Sequence, residues 1–251
     1  MTDPAVPTST VSQPDAPQPA ASDREAAPAT ATVRPDLPAA VLFDMDGTLI
    51  DSEPLWMAAE TALVESFGGT WTHEDALAMV GNPLEVSAEI ILERTPVDLP
   101  RDEIIHRLLA EVTAGVRQHM PWRPGSRELL AECVERRVPT ALVTMSWTSL
   151  AEAFTDALPA GTFDTVVTGD AVTHGKPHPE PYLTAAERLG VDPAACLALE
   201  DSPSGVGSAS AAGTHLVAIP LMVDLPETPN TVTVTTLEGE TLSSLWERFT
   251  H

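Results

Sequence analysis

Asp44-Met45-Asp46-Gly47-Thr48 sets two carboxylates two residues apart, directly after the apolar run from Ala39 to Phe43. In extended chain the side chains of residues i and i+2 point the same way, so Asp44 and Asp46 share one pocket. Two close carboxylates repel; they stay ionised together only around a cation, or one of them takes up a proton. Such a pair suits a nucleophile beside a general acid. Gly47 lets the chain turn tightly, and Thr48 offers a hydroxyl and a backbone N–H. Ordinary turns use Asp and Gly as well, so the pentapeptide gains weight only from matching signals farther along the chain.

Thr144-Met145-Ser146 ends a second apolar run and presents hydroxyls and amides that can hold phosphate oxygens, although Thr and Ser also cap helices. Lys176 is the single lysine of the chain, against twelve arginines, and sits in a loop stiffened by Pro177 and Pro179. Glu200-Asp201-Ser202 gives two acids after a third apolar run, with Gly205 close behind. Paired acids suit Mg²⁺, which takes oxygen ligands and keeps several waters. His174 and His178 are four residues apart, but the two prolines exclude a regular helix between them, and we expect no zinc site there.

The elements that must position these groups are written in the hydrophobic pattern. Residues 39–43 read as a buried strand ending at Asp44. Residues 53–118 read as several helices without a strand, punctuated by Gly68-Gly69 and by Pro96 and Pro100. From residue 121 helix and strand alternate: helices over 125–136, 147–158, 180–189 and 203–212, and strands over 139–144, 163–168, 196–199 and 215–219. This alternation predicts an α/β fold with a parallel, Rossmann-like sheet. Residues 225–251 add an edge strand and a last helical turn. The expected organisation is a disordered Pro/Ala-rich tail over 1–38, an α/β core over 39–52 and 121–251, and an all-helical insert over 53–120. Each chemical group then lies at a strand's carboxyl end, where open α/β sheets bind ligands.

A net charge of −24 excludes nucleic acid as a partner, because phosphate backbones demand clustered cations. No apolar run is long enough to span a membrane and no secretory signal is visible, so a cytoplasmic protein is expected, with a monomer as the default state. Cys133 and Cys196 are expected to be reduced, buried thiols.

DMDGT at 44–48, Thr144, GKPHPEPY at 175–182 and EDSPSG at 200–205 resemble, in order, the four motifs of the haloacid dehalogenase superfamily. The helical insert resembles the cap of its subfamily I, and the likeness spans roughly residues 39–220. The resemblance implies a Mg²⁺-dependent phosphatase acting on a small phosphorylated metabolite through a phosphoaspartyl intermediate. Asp44 would be the nucleophile and Asp46 the acid and base. Thr144 and Lys176 would hold phosphoryl oxygens. Mg²⁺ would be held by Asp44, the Asp46 carbonyl and Asp201, with Glu200 close by. Substrate would meet Gly47, Thr48, Met145 and Ser146 on the core and Trp56, Gly81 and Asn82 on the cap.

A dehalogenase needs no second carboxylate, so Asp46 disfavours that activity, and a phosphonatase needs a cap lysine that residues 53–118 lack. The closer rival is a mutase resembling β-phosphoglucomutase. Such caps present a base to a second phosphate, whereas Val80-Gly81-Asn82-Pro83-Leu84 is uncharged, Thr48 replaces the usual Val, and Trp56 stands where His is expected. An inactive binding protein on the same fold would be expected to have lost the nucleophile or the metal acids, and all are present.

Overall fold

Short runs of aliphatic residues with no polar alternation form strands that need cover on both faces. The computed structural model describes residues 36–80 and 82–250, and six short strands, most of them such runs, form one sheet within it. They are β1 (Ala40–Phe43), β2 (Thr140–Val143), β3 (Thr165–Val167), β4 (Cys196–Glu200), β5 (His215–Ala218) and β6 (Thr231–Thr233). The order is β3-β2-β1-β4-β5-β6, with every neighbouring pair parallel. The chain winds outward from β1 to β3 and then crosses back to β4, so the switch point lies at β1. This is the Rossmann-like α/β fold expected from the sequence, with β6 as the edge strand. The expectation of a disordered tail falls almost wholly on residues 1–35, outside those described.

The two faces of the sheet differ in side-chain size. Val41, Phe43, Leu142, Leu197, Leu199 and Val217 pack on one side against α5 (Ser126–Glu135), α6 (Thr148–Thr155) and α9 (Leu242–Glu247). Ala40, Ala141, Ala198 and Ala218 lie on the other, beside Leu42, Val143 and Leu216, and admit α7 (Glu180–Leu189) and α8 (Pro203–Ala211). Small residues let those two helices lie close, which brings Tyr182 and Gly205 to the end of β4. Cys133 and Cys196 are buried and free.

After β1, residues 53–118 hold four helices and, among the described residues, no strand: α1 (Glu53–Ser66), α2 (His73–Leu77), α3 (Leu84–Arg94) and α4 (Arg101–Gln118). Pro54 opens α1, where a missing N–H costs nothing, and Thr72 with Asp75 closes a capping box on α2. In α4, Ile104, Ile105, Leu108, Leu109, Val112 and Val116 are buried along one stripe. Each such side chain contributes roughly 1.5–3 kcal/mol on burial. That stripe packs on α1 and α3, and α4 also meets α6, which ties the helical block to the sheet. Among the described residues no helix is long and apolar enough to cross a membrane.

Candidate active site

The end of β1 turns sharply: the Met45 carbonyl accepts from the N–H groups of Thr48, Leu49 and Ile50. Gly47 sits inside this turn at φ +81°, and a Cβ there would come within 1.9 Å of Asp201 Oδ2. Glycine is therefore required twice, for its backbone angle and for the approach of Asp201. Gly205 plays the same part from α8, since its Cβ would lie 1.9 Å from Glu200 Oε2. The two glycines let three buried carboxylates, Asp44, Glu200 and Asp201, bring oxygens within 4.8 Å of one another.

Lys176 is 6% exposed and binds this cluster from below. Its Nζ donates to Asp44 Oδ1 at 2.7 Å, Glu200 Oε1 at 2.6 Å and the Val143 carbonyl at 2.8 Å. Tyr182 donates its hydroxyl to Glu200 Oε1 at 2.5 Å, and Lys176 Nζ lies 5.3 Å from the centre of its ring. Thr48 Oγ1 donates to Asp201 Oδ1 at 3.2 Å.

Three acids facing one ammonium leave an excess of negative charge. Burial and the charge of Glu200 push Asp44 up to about 7, despite the opposing pull of Lys176. Burial, then the charges of Asp44 and Glu200, raises Asp201 far above the usual carboxylate range. Burial alone would lower Lys176, but Asp44 and Glu200 outweigh it and hold the ammonium charged. Asp44 Oδ2 is buried without a hydrogen-bond partner. An all-oxygen donor set with an orphaned carboxylate oxygen fits a small, hard divalent cation such as Mg²⁺.

Asp46 is held apart from that cluster by hydroxyls. It accepts from Ser52 Oγ at 2.6 Å on Oδ1, and from Ser146 Oγ at 2.7 Å and Thr144 Oγ1 at 3.2 Å on Oδ2. Asp44, Asp46, Thr144, Met145, Ser146, Lys176 and Asp201 line one cleft, with Trp56 and Asn82 facing them from the helical block. Gly81 lies outside the described residues. Gly47 and Thr48, expected to meet substrate, do not line the cleft: Thr48 is fully buried and serves Asp201.

Pro177 and Pro179 do not keep His174 and His178 apart. The loop folds back so that the rings stand 4.6 Å apart, and Glu180 joins them. Those groups are nevertheless committed to closing the loop. Glu180 accepts from the amides of Thr173 and His174 and from the His174 ring, while His178 Nδ1 accepts from the Glu180 N–H.

Four residues escaped the sequence reading. Tyr182 orients Glu200. Arg123 is buried and donates to the carbonyls of Gly47, Ile219 and Pro220, pinning the loop after β1 to the end of β5. Glu53 and Glu60 line the cleft with Trp56. Their i, i+3, i+7 spacing marks one helix face and was the signal available for both acids. Burial pushes each up to about 7; Asp46 and then Glu60 add to the effect at Glu53, while a Trp71 hydrogen bond opposes it at Glu60.

The sequence model of the haloacid dehalogenase-like hydrolase family matches residues 41–219. Hexitol phosphatase B of Escherichia coli (strain K12) is 34% identical over 184 residues, covering 72% of this chain and 83% of that protein. A phosphorylated carbohydrates phosphatase of Thermotoga maritima is 35% identical over 179 residues, 71% of this chain and 83% of its own. Among solved structures, CbbY from Rhodobacter sphaeroides in complex with phosphate superposes with a TM-score of 0.74 at 26% identity, over 83% of this chain and 99% of that one. The chain belongs to the haloacid dehalogenase-like hydrolases and is a phosphoric monoester hydrolase.

Proposed function

We propose that this hydrolase is a Mg²⁺-dependent phosphatase of small phosphorylated metabolites, sugar phosphates among them, working through a phosphoaspartyl intermediate on Asp44. The observation that carries the reading is the pairing of a buried, lysine-held carboxylate with a second carboxylate kept free of that lysine. Asp44 attacks phosphorus, the bond from phosphorus to the leaving oxygen breaks, and Asp46 delivers the proton that oxygen needs. Asp46 then takes a proton from a water that attacks the phosphoaspartate, releasing inorganic phosphate and restoring Asp44. Lys176 fixes the nucleophile and faces the transferred group with positive charge. Thr144 and Ser146 hold Asp46 at its station. Asp44, Asp201, the Asp46 carbonyl and Glu200 would hold Mg²⁺, whose chemistry is to neutralise phosphoryl oxygen charge.

The helical block serves as the cap over this site. The names of the relatives, a hexitol phosphatase and a phosphorylated carbohydrates phosphatase, support a sugar or alditol as leaving group. A mutase must grip a second phosphate, and charge-assisted bonds to phosphate have no apolar substitute. The cap side of the cleft offers Glu53, Trp56, Glu60, Asn82 and Leu84, which disfavours mutase chemistry. The test is incubation with β-glucose 1-phosphate, following free phosphate against glucose 6-phosphate. Phosphate release without isomerisation is expected; isomerised sugar appearing first overturns the reading.

A further inference from the structure

Seven residues of α-helix span about 10 Å, so Glu60 stands well along α1 from Glu53, on the same cleft-facing side. It is 4% exposed. Among the described residues its only protein hydrogen bond comes from Trp71 Nε1, 3.1 Å from Oε2. Oε1 has no protein partner and remains open to the cleft. No cation lies near it: the one basic residue lining the cleft, among those described, is Lys176 on the core side.

A buried acid without a cation is an expensive way to anchor an indole. An amide oxygen would accept the Trp71 bond without carrying charge. What a carboxyl adds is a second oxygen, held in place by the first and turned toward the bound molecule. With burial pushing it up to about 7, the group accepts from a hydroxyl when ionised and donates to one when protonated. Either form suits an alcohol, and the ionised form repels a further anion.

We propose that Glu60 is a specificity-determining residue whose open oxygen hydrogen-bonds a hydroxyl of the leaving group. It selects polyhydroxylated, uncharged leaving groups and rejects those that carry a second phosphate or a carboxylate. The inference rests on the phosphatase reading and narrows its substrate class. Trp71 acts through Glu60 by fixing its rotamer, and is a positioning residue.

The test compares kcat/KM for a hexitol 6-phosphate with that for hexyl phosphate, which has the same carbon chain without the hydroxyls. In Glu60→Leu the ratio should fall roughly 10- to 100-fold, the loss of one hydrogen bond to a charged group. Glu60→Gln keeps an acceptor for Trp71 and should lower the ratio by a smaller factor, about 3 to 10. It decides the matter if the leucine variant does not fold. A ratio unchanged from wild type in either folded variant overturns the proposal. Hydrolysis of p-nitrophenyl phosphate by the wild-type protein with Mg²⁺ is read separately. Its absence would sink the phosphatase reading itself, whereas its presence with an unmoved ratio sinks only the role of Glu60.

Discussion

Gly47→Ala separates backbone strain from damage to the acids proposed to hold Mg²⁺. A non-glycine residue at φ +81° costs roughly 1–2 kcal/mol in any left-handed position. At Gly47 the new methyl would also begin 1.9 Å from Asp201 Oδ2, and ordinary contact starts at 3.4 Å. The Asp201 carboxylate must therefore move by about 1.5 Å, far more than a Mg²⁺–oxygen bond of ~2.1 Å tolerates. Gly68 supplies the control, because it has φ +76° with nothing within 4 Å of its Cβ position. Gly68→Ala should lower the melting temperature by roughly 2–8 °C, the strain term alone, and leave Mg²⁺ binding untouched. Gly47→Ala should lose at least 10–100-fold in Mg²⁺ affinity measured by calorimetry, on the order of other disturbed metal shells. Equal Mg²⁺ affinity in the two variants would refute the claim that Gly47 exists to admit Asp201.

Lys176→Met leaves Asp44 and Glu200 buried and facing each other without their shared ammonium. It should destabilise the protein by about 3–5 kcal/mol at pH 8, with the loss easing at lower pH as the acids take up protons, and turnover should fall at least ~10²-fold. Glu60→Gln tests burial through pH. The folded pKa is raised from 4.5 to about 7, so the wild type holds its full share of stability below pH 4.5 and loses it as pH rises through 7. The glutamine variant cannot ionise and should gain on wild type between pH 5 and pH 8, by at most about 3 kcal/mol. A melting-temperature difference that stays flat over that range would contradict the assignment.

Most of the frame was legible because it rests on periodicity. Buried runs such as Ala40–Phe43 and Cys196–Glu200 and the long amphipathic stripe of α4 leave no other reading of their residues. Motif order placed Asp44, Asp46, Lys176 and Asp201 at strand ends, and the sheet topology brings those ends together. What escaped depends on contacts distant in sequence. Arg123 reaches Gly47 and Ile219, 76 and 96 residues away, and nothing local distinguishes it from the other arginines. The bond from Thr48 to Asp201, 153 residues downstream, is one that local sequence does not announce. Pro177 and Pro179 exclude a helix between His174 and His178, but a loop can bring the rings together as well, and no local pattern announces it. The spacing of Glu53 and Glu60 is visible in the sequence, but acids on a helix are ordinarily solvated, so spacing alone does not mark them as cleft residues.

The central claim is that Asp44 carries the phosphoryl group. Rapid quenching of the enzyme with Mg²⁺ and a turning-over phosphomonoester, followed by borohydride reduction and peptide mass spectrometry, tests it directly. The account predicts that residue 44 is recovered as homoserine, the reduction product of an aspartyl phosphate, and that Asp44→Asn neither forms this adduct nor turns over. An unmodified Asp44 in wild-type enzyme quenched at steady state, together with near-wild-type turnover in Asp44→Asn, would contradict it.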